Sequence, residues 1–156
     1  MSKGRREDIA DWLIVAGSVA LFGSLFLTWS HQFGKGFVTE FGASELLRGV
    51  PRDPSAWQVY SAMDVVLALL AAGLLAVALI GNRPARLIAL AGAAVALAFS
   101  LHARSHPPTN GVNVYNPTLR VREYVHNPAV AGPGETVAIA ALAVAIAGLG
   151  LSFTAE

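Results

Sequence analysis

The chain contains no cysteine and few charged residues, and both shortages restrict its chemistry. Without cysteine it has no disulfides, no thiolate metal site, no cysteine nucleophile and no covalent haem attachment. Charged residues make up 13% of the 156 residues, about half of the usual ~25%, whereas apolar residues make up 54%. A soluble domain of this size needs more charge to cover its surface, so the composition predicts a membrane protein. The net charge of +1 offers no field for nucleic acid, and none is expected as a partner.

Motifs for nucleotide and nucleophile chemistry are also missing from the sequence. It has no GxxxxGK[ST] loop, no GxGxxG turn after a strand and no GxSxG elbow. A buried haem would need histidines well inside opposing helices, and only His102 approaches such a position. We therefore expect no enzymatic activity and no cofactor.

Four long apolar segments dominate what the chain does contain. A hydrocarbon core of ~30 Å needs about 20 helical residues, and the backbone in lipid must satisfy its own hydrogen bonds. The pattern predicts an all-α membrane protein, a single four-helix transmembrane domain over residues 1–156 with two ordered outer loops. The expected helices lie at about 10–30, 54–81, 84–103 and 135–153.

Local chemistry predicts where these helices begin. Asp53 followed by Pro54 is typical of an N-cap with proline at the first helical position. Residues 81–84 predict a tight turn in which a proline opens the third helix. Residues 132–134 break the chain before the fourth helix, and Glu135 lies favourably near its N-terminus.

The distribution of basic residues predicts the orientation. Two short segments, residues 1–9 and 82–86, are rich in basic side chains, whereas the loops at 30–53 and 104–134 hold six over a much longer stretch. The positive-inside rule places both termini in the cytoplasm and both loops outside, in a bacterial inner or plasma membrane. The basic residues of the short segments are Lys3, Arg5, Arg6, Arg83 and Arg86.

The two outer loops have strand-like stretches. Residues 37–41 are rich in strand-forming side chains, and residues 119–126 alternate between apolar and polar, so a small outer β-sheet is expected. Two interpretations stay open, ordered lids packed on the bundle or a surface for a partner, because aromatic residues and arginine fit both. The partner-surface candidates are Phe37, Phe41, Arg120, Arg122 and Tyr124.

Four polar side chains are expected at one level near the outer boundary. Counting ~1.5 Å per helical residue from the inner ends brings Asp64, His102, Glu135 and His31 to roughly the same depth, ~25 Å. One interpretation is a proton or cation site. The other, which we favour, is structural: Asp64 is satisfied by a contact, with His102 or another group of this layer as the expected partner, or it snorkels to the interface, because an acid costs less near the boundary.

The histidines offer a metal site only weakly. His102 and His106 are four residues apart, so they share a helical face and could hold zinc or copper with a further ligand such as His126. Arg104 lies between them and Pro107 ends the helix at once. We therefore expect no bound metal.

The layout resembles known four-span proteins. Four spans with a short inner turn and two structured outer loops resemble the claudin-type plan in topology only, since the claudin tryptophan and cysteine signature is absent. FLTWS at residues 26–30 and SAWQVYSAMDVVLALLA at residues 55–71 are similar to uncharacterised small four-span membrane proteins of high-GC bacteria. This second resemblance covers the first half of the chain and implies fold and membrane location, but no activity.

These observations predict a non-enzymatic membrane protein, a structural or accessory subunit that self-associates or joins a larger membrane complex. One alternative is an oligomeric channel or transporter that uses Asp64 and the outer polar layer. The other is an outer-side metal-binding or sensory protein that uses histidines. The expected partners are the lipid bilayer and other membrane subunits or further copies of the chain.

Overall fold

Four long helices pack side by side, joined by a short helix and short strands, in a computed structural model that describes residues 3–32, 53–60, 62–107, 111–116, 121–126 and 129–155. The helices are α1 (Lys3–Ser24), α2 (Ala56–Val59), α3 (Met63–Ile80), α4 (Arg83–Ser105) and α5 (Pro133–Ala155). The strands are β1 (Ser30–His31), β2 (Gly111–Asn116), β3 (Val121–His126) and β4 (Val130–Ala131).

Three of these helices, α3, α4 and α5, are long and apolar enough to cross a membrane. This confirms the prediction of a mainly helical protein suited to a bilayer. Helix α1 differs because charged residues occupy its first turns, and its uncharged stretch from Trp12 to Ser24 measures about 20 Å at ~1.5 Å per residue.

The predicted first helix, 10–30, has different ends. Helix α1 begins at Lys3 and ends at Ser24. The next residues form tight turns, in which the Leu25 N–H donates to the Phe22 carbonyl oxygen at 3.2 Å. The chain then extends into β1, because backbone groups after Leu27 pair with distant segments and no longer with the preceding helical turn.

The predicted second helix, 54–81, is wrong as a single element. The short helix α2 has Ser55 as its N-cap, not Asp53, and the Gln58 side chain accepts a hydrogen bond from the Ser55 N–H at 3.1 Å. The backbone is extended at Tyr60 (φ −115°, ψ 116°), and α3 begins only at Met63. The interruption lets the Tyr60 ring enter the bundle, where it packs against other aromatic rings.

The turn between α3 and α4 agrees with its prediction. Gly81 adopts φ +68°, a left-handed conformation in which glycine ends helices without steric cost. The Asn82 side chain then caps α4 by accepting a hydrogen bond from the Ala85 N–H at 2.8 Å, and Pro84 lies in the first turn. Helix α5 begins at Pro133, slightly earlier than predicted.

Helix α1 has two main neighbours in the bundle. It contacts α5 most extensively and also packs against α3, and α4 packs against both α5 and α3. The α1–α5 contact is close because small residues face each other, and a Cβ added at Gly17 would lie 2.7 Å from the Ala141 carbonyl oxygen. The Ser18 hydroxyl donates to the Ala71 carbonyl oxygen at 2.7 Å, which ties α1 to α3 inside the bundle.

The strands form two separate antiparallel pairs. Strand β1 pairs with β4, which joins the chain after α1 to the chain before α5. Strands β2 and β3 pair over six residues each, and β3 covers most of the strand predicted at 119–126. The strand-like stretch predicted at 37–41 lies outside the described residues.

Candidate functional site

One end of the bundle gathers the chain segments that carry most of the unusual polar groups. The Trp29 N–H donates to the Pro54 carbonyl oxygen at 2.9 Å. On its other side, the Gly132 N–H donates to the Trp29 carbonyl oxygen and the Gly134 N–H to the Thr28 carbonyl oxygen, both at 2.8 Å. These bonds bring the end of α1, the start of α2 and the start of α5 together.

Trp29 forms the apolar centre of this end. Its side chain is fully buried, and its indole Nε1–H donates to the Ser24 carbonyl oxygen at 2.8 Å, which also accepts a hydrogen bond from the Leu27 N–H at the end of α1. The ring meets Tyr60 edge to face at 5.7 Å, and Tyr60 meets Phe99 in the same way at 5.4 Å. Nothing local in the sequence signals that Trp29 is a core residue.

Glu135 is the most unusual polar group at this end. The residue is 0% exposed, and neither carboxylate oxygen has a hydrogen-bond partner among the described residues. It lies in the first turn of α5, where the helix dipole favours an acidic side chain. Most buried polar groups are hydrogen-bonded, so a carboxyl group without partners calls for a functional explanation.

Glu135 interacts electrostatically with two neighbouring side chains, Tyr60 and Arg104. Burial, and then the negative charge of Glu135, raise the pKa of Tyr60 from 10.0 to about 12. The positive charge of Arg104 acts on Glu135 through space. The Arg104 Nη1 donates instead to the Thr136 Oγ1 at 3.0 Å, so this guanidinium makes its hydrogen bond beside the carboxyl group and not to it.

Asp64 is buried, but its contact differs from the expected one. It lies in the first turn of α3, and its Oδ1 accepts a hydrogen bond from the Val65 N–H at 2.8 Å. No hydrogen bond or ion pair joins Asp64 to His102 within the described part of the chain, and the His102 ring is exposed. The expected Asp64–His102 pair is therefore wrong, because the free N–H groups of the helix start supply a nearer partner.

The described histidine side chains do not form one cluster. The His31 Nδ1 lies 2.6 Å from the Asp53 Oδ1 at the surface, whereas His102 and His106 stack on each other with ring centroids 4.7 Å apart. His126 lies in β3, where its backbone is in register with Gly111. Within the described ranges no three histidine or acidic side chains come close enough to hold a metal ion.

The partner-surface candidates are only partly described. Arg122 and Tyr124 lie in β3, in register with Tyr115 and Asn113 of β2. Phe37, Phe41 and Arg120 lie outside the described residues. The lid and partner-surface interpretations of the loops therefore both stay predictions.

The opposite end of the bundle contains an ion pair that the sequence analysis missed. Arg86, used above only as a topology signal, is 7% exposed, and its Nη2 lies 3.1 Å from the Asp11 Oδ1. The pair links the start of α4 to α1. The signal in the sequence was Asp11, an acid at the beginning of an apolar run, which needs a cationic partner near its own depth.

Comparisons with known proteins found no match: no family model, no curated protein and no solved structure matches this chain. The described geometry therefore carries the functional argument alone. Its main elements are the buried Glu135 with its neighbours, and the apolar outer faces of the helices.

Proposed function

We propose that the chain is a non-enzymatic integral membrane protein, a structural or accessory subunit that self-associates or joins a larger membrane complex. In this proposal α1 crosses the bilayer together with α3, α4 and α5. Both termini lie in the cytoplasm of a bacterial cell, and the Glu135 end of the bundle faces outward. The basic residues at the start of α1 and at the α3–α4 turn support this orientation.

The observation that carries the proposal is the contrast between a filled interior and broad apolar outer faces. Leu69 on α3, Val95 on α4 and Val19 on α1 are each more than 60% exposed. Only 22% of the α3 span and 28% of the α4 span are buried, against 39% of the α5 span. Such faces are suited to lipid or to the helices of another subunit.

Grooves between the helices, among the described residues, support the same proposal. Three grooves, of about 260 to 380 Å³, lie between α1 and its neighbours α3 and α5, and their linings are mostly apolar. One is lined by Val19, Phe22, Ala68 and Leu75 among others, side chains that suit an acyl chain or a neighbouring helix rather than water. The geometry therefore favours packing against other membrane components over conduction through one copy.

The test combines native mass with proximity. Because the chain has no cysteine, a single cysteine reports contacts between copies without background. We expect a native mass above that of one chain in lipid nanodiscs, and disulfide-linked dimers from Leu69→Cys or Val95→Cys. Val19→Cys is the matched comparison, since it is similarly exposed but lies on α1, whose outer face is thereby tested separately from those of α3 and α4.

The outcomes separate the two forms of the proposal. Dimers from α3 or α4 positions and not from Val19→Cys support self-association. Stoichiometric foreign subunits, copurified in a native extract without homotypic dimers, support accessory attachment. A native mass of one chain, with no cross-linking at any of the three positions and no copurified subunit, would contradict the proposal.

A further inference from the structure

Glu135 presents two buried carboxylate oxygens that receive no hydrogen bond from the described part of the chain. The residue is fully buried, and both oxygens are unpartnered within the described residues. Leaving a buried acceptor unsatisfied costs free energy, and the cost is larger for a charged group. A stable fold keeps such a group when something that binds there offsets the cost.

Two N–H groups at the start of α5 already donate to other acceptors. An acidic residue in the third position of a helix commonly reaches back to the N–H of the residue before the helix, here Gly132. The Gly132 N–H already donates to the Trp29 carbonyl oxygen, and the Gly134 N–H donates to the Thr28 carbonyl oxygen. These two bonds, which lie next to the β1–β4 pair, therefore use N–H groups that would otherwise be free to reach the carboxyl group.

A second buried oxygen on the neighbouring helix is also unpartnered. Ser100 is 0% exposed, and its Oγ lacks a hydrogen-bond partner in the described structure. Ser100 lies one turn before Arg104 on α4, and Arg104 reaches Thr136, the residue after Glu135. The Tyr60 phenol is close enough for the charge of Glu135 to act on it. This end of the bundle therefore holds a buried carboxyl group and, on neighbouring segments, the hydroxyl groups of Ser100 and Tyr60.

We propose that Glu135 is a binding site for a monovalent cation, either a proton or Na⁺. One buried carboxylate can balance one positive charge, whereas a divalent ion would leave a surplus charge beside Arg104. Carboxyl and hydroxyl oxygens are hard ligands that suit Na⁺, and a proton satisfies the same carboxyl group directly. Arg104 and Thr136 are both exposed, so the solvent side of this site is the rim that they form.

This site is independent of the proposed assembly, and its test does not require an oligomer. The measurement is the thermal unfolding temperature of the purified full chain in detergent, with Na⁺ exchanged for choline at constant ionic strength and with pH varied separately. A cation that binds only the folded state raises that temperature. We expect the wild-type protein to shift by about 5 °C between low and saturating cation concentration.

Glu135→Gln keeps the shape of the side chain and removes its charge, so the cation-dependent shift should disappear. Asp64→Asn is the matched control, because Asp64 is also a buried acid in a first helical turn but has a backbone donor. It should retain the shift. A Na⁺-dependent shift that Glu135→Gln abolishes identifies a Na⁺ site, and a shift with pH alone that Glu135→Gln abolishes identifies a proton site. Equal responses of the wild type and Glu135→Gln to both cations would overturn the proposal.

Labelling of the wild-type chain keeps the proposal testable if Glu135→Gln does not fold. Dicyclohexylcarbodiimide enters apolar sites and modifies carboxyl groups in their protonated form, and mass spectrometry locates the adduct. We expect Glu135 to be modified, with protection by raised pH for a proton site or additionally by Na⁺ for a sodium site. If Glu135 stayed unmodified under every condition, or were modified equally in all of them, the site would not exchange cations.

Discussion

Two acids at helix starts show how one local difference decides the state of a side chain. Asp64 lies in the first turn of α3, where the Val65 N–H is free to donate to its carboxylate. Glu135 lies in the first turn of α5, where the N–H groups of Gly132 and Gly134 already donate to the carbonyl oxygens of residues 28–29. The same residue class is therefore satisfied at one helix start and left without a partner at the other.

Asp64→Asn tests whether the Val65 contact is the whole role of Asp64. Asparagine keeps a carbonyl oxygen that can accept from the Val65 N–H, but it loses the negative charge that favours a helix N-terminus. We expect the free energy of unfolding to fall by about 0.3–1 kcal/mol, with the fold and native mass unchanged. Chemical denaturation in detergent measures it, and a loss above about 3 kcal/mol would indicate a further partner.

Tyr60 provides a prediction about alkaline pH. Its pKa is raised from 10.0 to about 12, by burial first and by the charge of Glu135 second, so the folded state holds the phenolic proton more tightly than the unfolded state. The resulting stabilisation is complete below pH ~10 and is lost as the pH rises from ~10 to ~12. Subtracting the phenolate absorbance of Tyr60→Phe from that of the wild type should give a transition near pH 12. A difference transition near pH 10 would contradict the burial of this ring.

At the scale of elements, the sequence predicts the structure correctly where neighbouring residues alone determine it. Gly81, Asn82 and Pro84 determine the α3–α4 turn through their own backbone and capping preferences, and the prediction for that turn holds. The ends of the first two predicted helices were wrong because their causes lie far away in the chain. Thr28 and Trp29 leave the helical path to pair with segments near residues 54 and 132.

The candidate site also has one part that the sequence predicts and one part that depends on distant contacts. The depth count brought Glu135 and the chain around His31 to one end, and the backbone bonds between residues 28–29 and 132–134 agree with that grouping. The isolation of the Glu135 carboxyl group was not predictable, because it depends on the hydrogen bonds that Gly132 and Gly134 make to the distant residues 28–29. The expected Asp64–His102 pair failed since depth alone does not determine which face of a helix a side chain occupies.

The contact between α1 and α5 gives a prediction about packing. A Cβ at Gly17 would lie 2.7 Å from the Ala141 carbonyl oxygen and 2.8 Å from the Ala145 Cβ, so Gly17→Ala forces the two helices apart. We expect a loss of about 1–3 kcal/mol in the free energy of unfolding.

The matched control for Gly17→Ala lies on the same helix. A Cβ at Gly23 would meet nothing within 4 Å, and alanine is the better helix former, so Gly23→Ala should leave stability unchanged or raise it by up to about 1 kcal/mol. Parallel thermal unfolding of both variants in one detergent makes the comparison. Equal effects of the two substitutions would show that helix propensity, and not the close approach of α1 to α5, dominates.

At the scale of the whole molecule, the arrangement in the bilayer depends on α1. Helices α3, α4 and α5 each satisfy the length and hydropathy requirements of a span, whereas α1 begins with charged residues. Its packing argues for crossing all the same, because it makes the most extensive helix contact of the bundle, with α5, and also packs against α3. The Asp11–Arg86 pair also lowers the cost of placing an acid of α1 beside the apolar helices.

The final prediction tests this crossing with two single cysteines in a chain that has none of its own. Gly4 lies at the start of α1 and Ser105 at the end of α4, and both residues are exposed. The helices α1, α3 and α4 lie between them, so the two positions face opposite sides of the membrane if all three cross, and the same side if α1 does not. We expect a membrane-impermeant maleimide to label Ser105→Cys in right-side-out vesicles and Gly4→Cys only in inverted vesicles, because the basic start of α1 stays in the cytoplasm. Labelling of both positions in the same vesicle preparation would leave three spans, with α1 held against the bundle outside the hydrocarbon core.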